Sequence, residues 1–258
     1  MAGKVVKETR ETGAFRKISA GASFDVYFTQ NDSCQVVVEA EEEYIGKIAA
    51  EVENGTLIIK WKEKVRMFGK KVTKVHVSAP ALEEVNVSGG ADFYAGDLNC
   101  EGSFQLKVSG GTDFHAGNMK CKGSFQLHAS GGADANITSL TVSQNVDIAI
   151  SGGADTQIDN LAVAGNTEIS TSGGADCKVK NLQTADCKLS SSGGSDLTVQ
   201  LTASGNLNAS ASGSADVRVS GKADNLKISV SSGADIDIKN LTYTNIDITK
   251  SGGGDVHR

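Results

Sequence analysis

The stretch Val87–Gly96 reads VSGGADFYAG, and close copies follow at Val108–Gly117 (VSGGTDFHAG) and Ala129–Thr138 (ASGGADANIT). The centre of each copy is a corner pattern of Ser, three mostly small residues and Asp. The pattern occurs nine times at intervals of 19 to 21 residues, and its last residues are Asp92, Asp113, Asp134, Asp155, Asp176, Asp196, Asp216, Asp235 and Asp255. Repetition at this period is typical of solenoid proteins.

Apolar and polar residues alternate on both sides of each corner. The residues one and three places after the aspartate are apolar, as in Phe93 and Ala95, and a further apolar pair follows, as in Leu98 and Cys100. The residues one, three and five places before the repeat Ser show the same pattern. A period of two is typical of half-buried strands, so each repeat is predicted to hold about three short strands.

A unit of about 20 residues cannot bury its apolar face alone, whereas stacked units place equivalent residues about 4.8 Å apart. The sequence therefore predicts an all-β fold, a right-handed parallel β-helix with coils of about 20 residues. The hand follows from the preference for right-handed connections between parallel strands. Both glycines of each corner are expected to adopt positive φ and to allow the next coil to approach closely.

Residues 1–80 lack the regular repeat. Alternation in this part predicts strands, Glu41–Val52 predicts a short helix, and Gly21–Val26 (GASFDV) looks like an altered copy of the corner. We expect residues 1–80 to form irregular β coils and a cap, which shields one end of the solenoid, and residues 81–258 to form the regular β-helix. Pro80 marks the junction between the two parts.

Charge and hydropathy exclude two classes of partner. The chain has 258 residues and a formal net charge of −6, and residues 81–258 carry 20 Asp and Glu against 12 Lys and Arg. Nine of those acids are the corner aspartates. An acidic surface is a poor match for nucleic acid, so no nucleic acid is expected as a ligand. No apolar run approaches the length of a membrane span, so no transmembrane segment is expected.

The nine corners, preceded by Phe15, by Asp25 and Val26, and by the strand-like Leu57–Ile59, resemble the head GIN family of putative auto-transporter adhesins. The usual corner of that family is Ser-Gly-Ser-Gly-Asp, to which Ser212–Asp216 (SGSAD) comes nearest. The resemblance implies a bacterial, exported protein at the cell surface, in the periplasm or secreted, with no catalytic residues. The first residues, MAGKVVKETRETG, lack the apolar segment of a secretory leader, so the resemblance implies a leader missing from this sequence.

The corner aspartates are interpreted as structural turn residues. Carboxylates stacked at the strand spacing repel by up to about 1 kcal/mol per neighbouring pair in water, so a compensating group is expected. The favoured one is local capping, in which Asp oxygens accept hydrogen bonds from Gly and Ala N–H groups of the same corner. The alternative is a Ca²⁺-binding structural rod, although one carboxylate per coil falls short of six to eight ligands. No metal or cofactor is expected.

The cysteines are interpreted as core thiols. Their count is odd and no C-x-x-C motif is present, which argues against zinc and against a disulfide framework. Cys100 and Cys121 share a place in consecutive coils, so a disulfide between them is the alternative. The five residues are Cys34, Cys100, Cys121, Cys177 and Cys187.

Two surfaces are candidate binding faces. One is a flat hydroxyl stripe, two places before the repeat Ser in the last five coils, formed by Ser170, Ser190, Ser210, Ser229 and Thr249. It could meet a glycan or a second rod. The other lies in Lys60–Lys71, where Lys60, Trp61 and Lys62 alternate cations with an aromatic ring, and Met67 and Phe68 follow. The simpler interpretation of the hydroxyl stripe is a hydrated surface, and that of the Lys60–Lys71 segment is an amphipathic strand of the cap.

The favoured function is that of a non-catalytic exported protein that recognises a glycan or another surface protein. The alternative is a carbohydrate-active enzyme, a polysaccharide lyase or hydrolase on the same fold. Even repeats leave no room for the long loops of such a site, and the histidines, His76, His115, His128 and His257, are interpreted as sharing no column. The last strand, Ile246–Thr249, is expected to be uncovered, which favours a homodimer through the C-terminal coils.

Overall fold

The predicted all-β solenoid with parallel sheets is confirmed. The computed structural model of the chain describes residues 3–65 and 72–258, and nearly all regular structure in these ranges is strand. The N-terminal part contains β1 (Val5–Arg10), β2 (Lys17–Ala20), β3 (Asp25–Gln30), β4 (Gln35–Glu41), helix α1 (Glu42–Ile45), β5 (Ile48–Glu53), β6 (Thr56–Trp61) and β7 (Thr73–Ala79).

Twenty further strands build the regular coils. In chain order they are β8 (Glu84–Ser88), β9 (Asp92–Ala95), β10 (Leu98–Cys100), β11 (Phe104–Ser109), β12 (Asp113–Cys121), β13 (Phe125–Ser130), β14 (Asp134–Val142), β15 (Val146–Gly152), β16 (Asp155–Val163), β17 (Thr167–Gly173), β18 (Asp176–Gln183), β19 (Cys187–Gly193), β20 (Asp196–Ala203), β21 (Asn206–Gly213), β22 (Asp216–Lys222), β23 (Asn225–Val230), β24 (Asp235–Asp237), β25 (Leu241–Thr242), β26 (Asn245–Lys250) and β27 (Asp255–His257).

The strands form two long sheets. Sheet I has 12 strands and contains the strands that precede each corner, in the order β26-β23-β21-β19-β17-β15-β13-β11-β8-β2-β6-β5. Sheet II has 15 strands and contains those that follow each corner, along the path β1-β4-β7-β3-β9-β12-β14-β16-β18-β20-β22-β24-β27. Each regular coil therefore contributes one strand to sheet I, turns the corner and contributes the next to sheet II. Three strands per coil were predicted, but in the central coils the second and third are one strand, as in β14.

The register of the strands stacks like residues into columns. Leu106 pairs with Leu127, Leu127 with Ile148 and Ile148 with Ile169, and all four side chains are fully buried. Because alternate residues of a strand point to opposite faces, the residues between them form outward columns. One buried core runs from Phe15 to Leu241. The boundary at residue 80 falls within this core, and the division of the chain there stays a prediction.

The N-terminal part adds layers in an order that differs from the chain order. β2 pairs in parallel with both β6 and β8, and β3 pairs in parallel with both β7 and β9. The coil of β2 and β3 therefore lies between the regular coils and a layer made by β6 and β7. Antiparallel strands complete this end, with β4 next to β7, β1 next to β4, and β5 next to β6.

The helix predicted over Glu41–Val52 is wrong beyond its first turn. Helix α1 ends at Ile45, and Ile48 begins β5. The reason is a β-hairpin: Asn54 and Gly55 turn the chain with positive φ, and β5 pairs along its whole length with β6, with Ala50 opposite Ile59, which outweighs the helical preference of the segment.

In the first two corners both glycines have positive φ as predicted, as Gly89 and Gly90 do, whereas the central corners confirm the predicted conformation for the first glycine only. The first glycine of the pair has positive φ, as in Gly152 at 76°, and a Cβ built there would lie 3.0 Å from both N and O of Gly131 in the preceding coil. The second glycine was expected to share this conformation. Gly153 does not have positive φ, and a Cβ on it would meet Gly131 O at an ordinary 3.6 Å. The close approach of coils therefore depends on the first glycine.

All five cysteines are free thiols, and the predicted core location holds for four of them. Cys100 and Cys121 occupy paired positions in β10 and β12, and both are buried. Burial raises the pKa of Cys177 and of Cys187 to about 12, so neither is a thiolate at neutral pH. Cys34 is half-buried.

Candidate binding faces

The corner aspartates form a continuous column on the outer surface of sheet II. Asp134 pairs with Asp155, and Asp155 with Asp176, and the column reaches Asp25 in β3, which pairs with Asp92. Gly21–Val26 is thus a true corner, as its altered sequence predicted. Ala22 and Ser23 adopt positive φ, at 58° and 64°, in the places that Gly89 and Gly90 fill in the next coil.

The predicted local capping of these aspartates is wrong for the central coils. The N–H of Gly153 donates to Gly131 O at 2.7 Å, and that of Asp155 to Ala133 O at 3.0 Å. Since the corner N–H groups bond to the preceding coil, they are not free to cap a carboxylate. The Asp155 and Asp176 side chains are instead exposed to water, which weakens their mutual repulsion. In the parts of the chain described, no group of three His, Cys, Asp or Glu residues is arranged to hold a metal ion.

Next to the aspartates, sheet II carries a stack of aromatic rings. Tyr27 stacks on His76 at 5.5 Å and on Tyr94 at 5.1 Å between centroids, and Tyr94 stacks on His115 at 5.3 Å. Burial, with Asp92 nearby, raises the pKa of Tyr94 to about 12. The expectation that the histidines share no column was wrong, since His76 and His115 lie in this one, which continues to His257. Each ring covers its neighbour, so the stack presents edges to solvent.

The hydroxyl face is the outer surface of sheet I over β17, β19, β21, β23 and β26. Its columns hold the predicted stripe, in which Ser170 pairs with Ser190, Ser190 with Ser210, Ser210 with Ser229 and Ser229 with Thr249. A second column lies two residues further along the same strands and contains Ser172, Ser192 and Ser212. The serines of both columns line a shallow depression of about 290 Å³ that carries only uncharged side chains.

Intramolecular bonds on the hydroxyl face are few and long. Ser210 donates to Leu189 O at 3.2 Å and to the Ser190 hydroxyl at 3.2 Å, and Ser170 donates to Ile148 O at 3.4 Å. A hydroxyl has one hydrogen and two lone pairs, so each of these side chains keeps acceptor capacity toward solvent or a ligand.

The segment that contains Lys60, Trp61 and Lys62 belongs to the N-terminal layers. The Trp61 ring packs 5.0 Å from that of Phe24, and its Nε1 donates to Ala22 O at 3.3 Å. Lys60 lies 3.8 Å from Glu53. Trp61 thus helps to hold the altered corner at Ala22, which fits the cap interpretation. Met67 and Phe68 lie outside the described residues.

A third surface, which the sequence interpretation missed, lies where the strands of sheet I begin. It is an amide ladder that takes one residue from each of six successive coils: Asn145, Asn166, Asp186, Asn206, Asn225 and Asn245. Their spacing of 19 to 21 residues repeats the corner period, so the signal was present in the sequence. No apolar alternation or corner motif draws attention to it.

Hydrogen bonds join most rungs of the amide ladder. Asp186 Oδ1 accepts from both the N–H and Nδ2 of Asn206, at 2.9 Å each. Asn225 Nδ2 donates to Asn206 Oδ1 at 3.0 Å, and Asn245 Nδ2 donates to Asn225 Oδ1 at 2.8 Å. Beside the ladder run two adjoining depressions of about 420 Å³ each, which share Asp186 and Asn208. Ladder and depressions together are called the amide groove.

The stacked coils, repeated corners and outward polar columns define a parallel β-solenoid. The chain belongs to the family described as putative auto-transporter adhesin, head GIN domain, which matches residues 14–193 and, in a second match, 166–257. The resemblance stated from the corners is thereby confirmed. No curated protein matches the sequence.

Solved structures with the same fold come from two species of Parabacteroides. A putative adhesin from Parabacteroides distasonis ATCC 8503 is 19% identical, with a TM-score of 0.74 and coverage of 99% of this chain and 97% of that one. A putative adhesin from Parabacteroides merdae ATCC 43184 is 16% identical, with a TM-score of 0.69 and coverage of 99% and 96%. A putative lipid binding protein from P. distasonis is 18% identical, with a TM-score of 0.62 and coverage of 99% and 96%. At these identities the likeness concerns the fold.

Within residues 3–65 and 72–258, no helix has the length and hydropathy required to span a lipid bilayer.

Proposed function

We propose that this chain is a non-catalytic, extracytoplasmic adhesin that recognises carbohydrate, or a glycosylated surface protein, through the outer surface of sheet I. The observation that carries the proposal is the hydroxyl face, a regular array of uncharged hydroxyl groups on a flat sheet. Sugars offer hydroxyl donors and acceptors at short intervals, and side-chain hydroxyls can serve in both roles. Membership of an adhesin family supports a task of surface attachment.

Arginine in place of Ser210 tests this use of the hydroxyl face. Ser210 lies at the centre of the face, and a long cation there would obstruct both Ser190 and Ser229. We expect the wild-type protein to bind a set of oligosaccharides on a printed array and Ser210→Arg to bind them at least tenfold more weakly. Gln183→Arg, which adds the same charge to an exposed position of sheet II, is the matched control. Absence of any glycan bound by the wild type would overturn the proposal.

We further propose that two copies associate end to end through the C-terminal coil. Among residues 3–65 and 72–258, β26 pairs only with β23 and β27 only with β24, so each leaves one edge without a strand partner in this part of the chain. Ile246, Ile248 and Val256 are only partly buried against the core at this end. A two-fold axis through Ile248 would pair β26 with its copy in antiparallel fashion and cover these side chains. Two joined rods would display their N-terminal layers outward.

Lys250 sets the strength of this contact. It occupies the inward column after Val230, and its Nζ lies 2.5 Å from Asp255 Oδ1. In the antiparallel dimer it would face Ile246 of the second copy, and a buried ammonium opposite an aliphatic side chain is unfavourable. We therefore expect Lys250→Val to tighten dimerisation at least tenfold, measured by light scattering over a concentration series. Lys239→Val, which removes a nearby exposed cation, should have no such effect. A monomeric mass for Lys250→Val at every concentration would contradict the proposal.

A further inference from the structure

We propose that the amide groove is the site that holds the glycan chain, and that it selects neutral oligosaccharides laid parallel to the solenoid axis. This inference rests on the proposed function and assigns it a second row of contacts. The groove borders the charged column Asp147, Glu168, Lys188, Asn208, Lys227 and Asp247, which in turn lies two residues before the hydroxyl stripe on the same strands.

The amide ladder retains hydrogen-bonding capacity after its internal bonds are counted. An Asn side chain has two N–H donors and a carbonyl with two lone pairs. Asn225 donates one Nδ2 hydrogen to Asn206, and its Oδ1 accepts one hydrogen bond from Asn245. One N–H donor and one lone pair of the same amide therefore remain for a ligand. A planar amide held by its neighbours has already lost its rotational freedom, which lowers the entropic cost of binding a ligand. The rungs Asn206, Asn225 and Asn245 thus offer fixed donor and acceptor groups to a ligand.

The other wall of the groove offers complementary groups without intramolecular partners. Among the described residues, Asn208, Lys227 and Asp247 make no side-chain hydrogen bond or ion pair, and all three are exposed. They place an amide, an ammonium and a carboxylate on three successive rungs about 4.8 Å apart. A sugar hydroxyl can donate to the carboxylate, accept from the ammonium or do both with the amide.

The order of charges argues for a neutral ligand. From the N-terminal side, the charged column is acidic on its first two rungs and carries a cation at Lys188. An uncharged amide follows, and the last two rungs are a cation and an acid, Lys227 and Asp247. Glu168 and Lys188 neutralise each other at 2.7 Å. A chain with one charge sign on every sugar would meet a like charge within two rungs wherever it lay. A neutral chain meets no such penalty. Six coils offer a groove of about 24 Å, enough for several sugar rings.

The test compares two substitutions on one strand. Asn208 and Ser210 both lie on β21 and face outward, Asn208 in the amide groove and Ser210 on the hydroxyl face. We expect Asn208→Arg to weaken binding of neutral oligosaccharides at least tenfold, with an unchanged melting temperature, while Gln183→Arg binds as the wild type does. Neutral members of the array should bind in preference to acidic and amino members. Titration calorimetry should show affinity that rises with chain length and changes little with salt.

The outcomes separate this inference from the proposed function. Undiminished binding by Asn208→Arg together with loss in Ser210→Arg would overturn the amide groove and leave the hydroxyl face as the binding surface. Loss in Asn208→Arg with full binding by Ser210→Arg would support the groove and remove the hydroxyl face from the site. Preference for acidic or amino oligosaccharides would overturn the assignment to neutral ligands. A wild-type protein that binds no glycan would overturn the proposed function and this inference with it.

Discussion

Valine in place of Gly152 should lower the free energy of unfolding by about 3 kcal/mol or more. The residue has φ of 76°, a backbone conformation that is sterically unfavourable for residues with a Cβ and most unfavourable for β-branched ones. Its new Cβ would also press on N and O of Gly131 at 3.0 Å, and this O accepts a hydrogen bond from the N–H of Gly153 that joins the two coils. The first glycine of the corner is therefore needed both for its conformation and for its size. Urea denaturation followed by circular dichroism measures the loss.

Gly153→Val is the matched control for that substitution. It introduces the same side chain one residue later, where φ is not positive and the nearest backbone atom of the preceding coil is 3.6 Å away. We expect a change below about 1 kcal/mol, as for other exposed positions without special backbone geometry. Ser232 shows that the first position tolerates a small residue, since it adopts φ of 63° in the eighth corner. Equal midpoints for the two valine variants would contradict this account of the corner.

The repeated part of the fold could be predicted because each coil supplies the same information. Alternation around the aspartate at each corner assigned Phe93 and Leu106 to the core, and the constant period fixed which residues share a column. In a parallel stack, the tertiary contacts join equivalent residues of successive coils. A constant period in the sequence therefore predicts which distant residues pair. That is why the hydroxyl stripe, for example Ser190 beside Ser210, was found as a continuous surface.

The N-terminal layers could not be predicted in the same way. β6 and β7 pair with β2 and β3, strands that come earlier in the chain, and no repeated motif marks these partners. The pairing of β5 with β6 is instead a local hairpin closed by Asn54 and Gly55, a turn sequence that favours hairpins, and it converts the second half of a helix-like segment to strand. Pairing between segments of unrelated sequence depends on packing that period alone does not express.

Some features of the candidate site could be predicted from the sequence and others could not. The aspartate column was found, but its hydrogen bonding was not, because the corner N–H groups pair with the preceding coil, as Gly174 does with Gly152. The amide ladder was missed although Asn206, Asn225 and Asn245 repeat at the corner period. Asparagine is common in turns, where it bonds to its own backbone, so its presence between strands has a local explanation that conceals the column.

Alanine in place of Phe93 should lower the free energy of unfolding by about 3 to 5 kcal/mol, as expected when a large buried aromatic side chain is removed. Phe93 is fully buried and stacks between Phe114, at 5.5 Å between centroids, and Phe28, at 6.3 Å. These rings join β3 of the N-terminal part to the first regular coils. The cavity should therefore loosen the contact between β3 and β9, which faster hydrogen exchange in both strands would reveal.

The adjacent Tyr94 provides the control, because it also stacks on two rings but lies on the opposite face of the same strand. Its neighbours are Tyr27 and His115, and all three are partly exposed. Tyr94→Ala leaves no internal cavity and removes cross-strand contacts worth about 1 kcal/mol, so the loss should be several times smaller than for Phe93→Ala. The two variants, compared by denaturant midpoint, thus separate the value of burial from that of stacking. Equal losses would show that the stacked rings on the outer surface stabilise the joint between β3 and the regular coils as strongly as the core does.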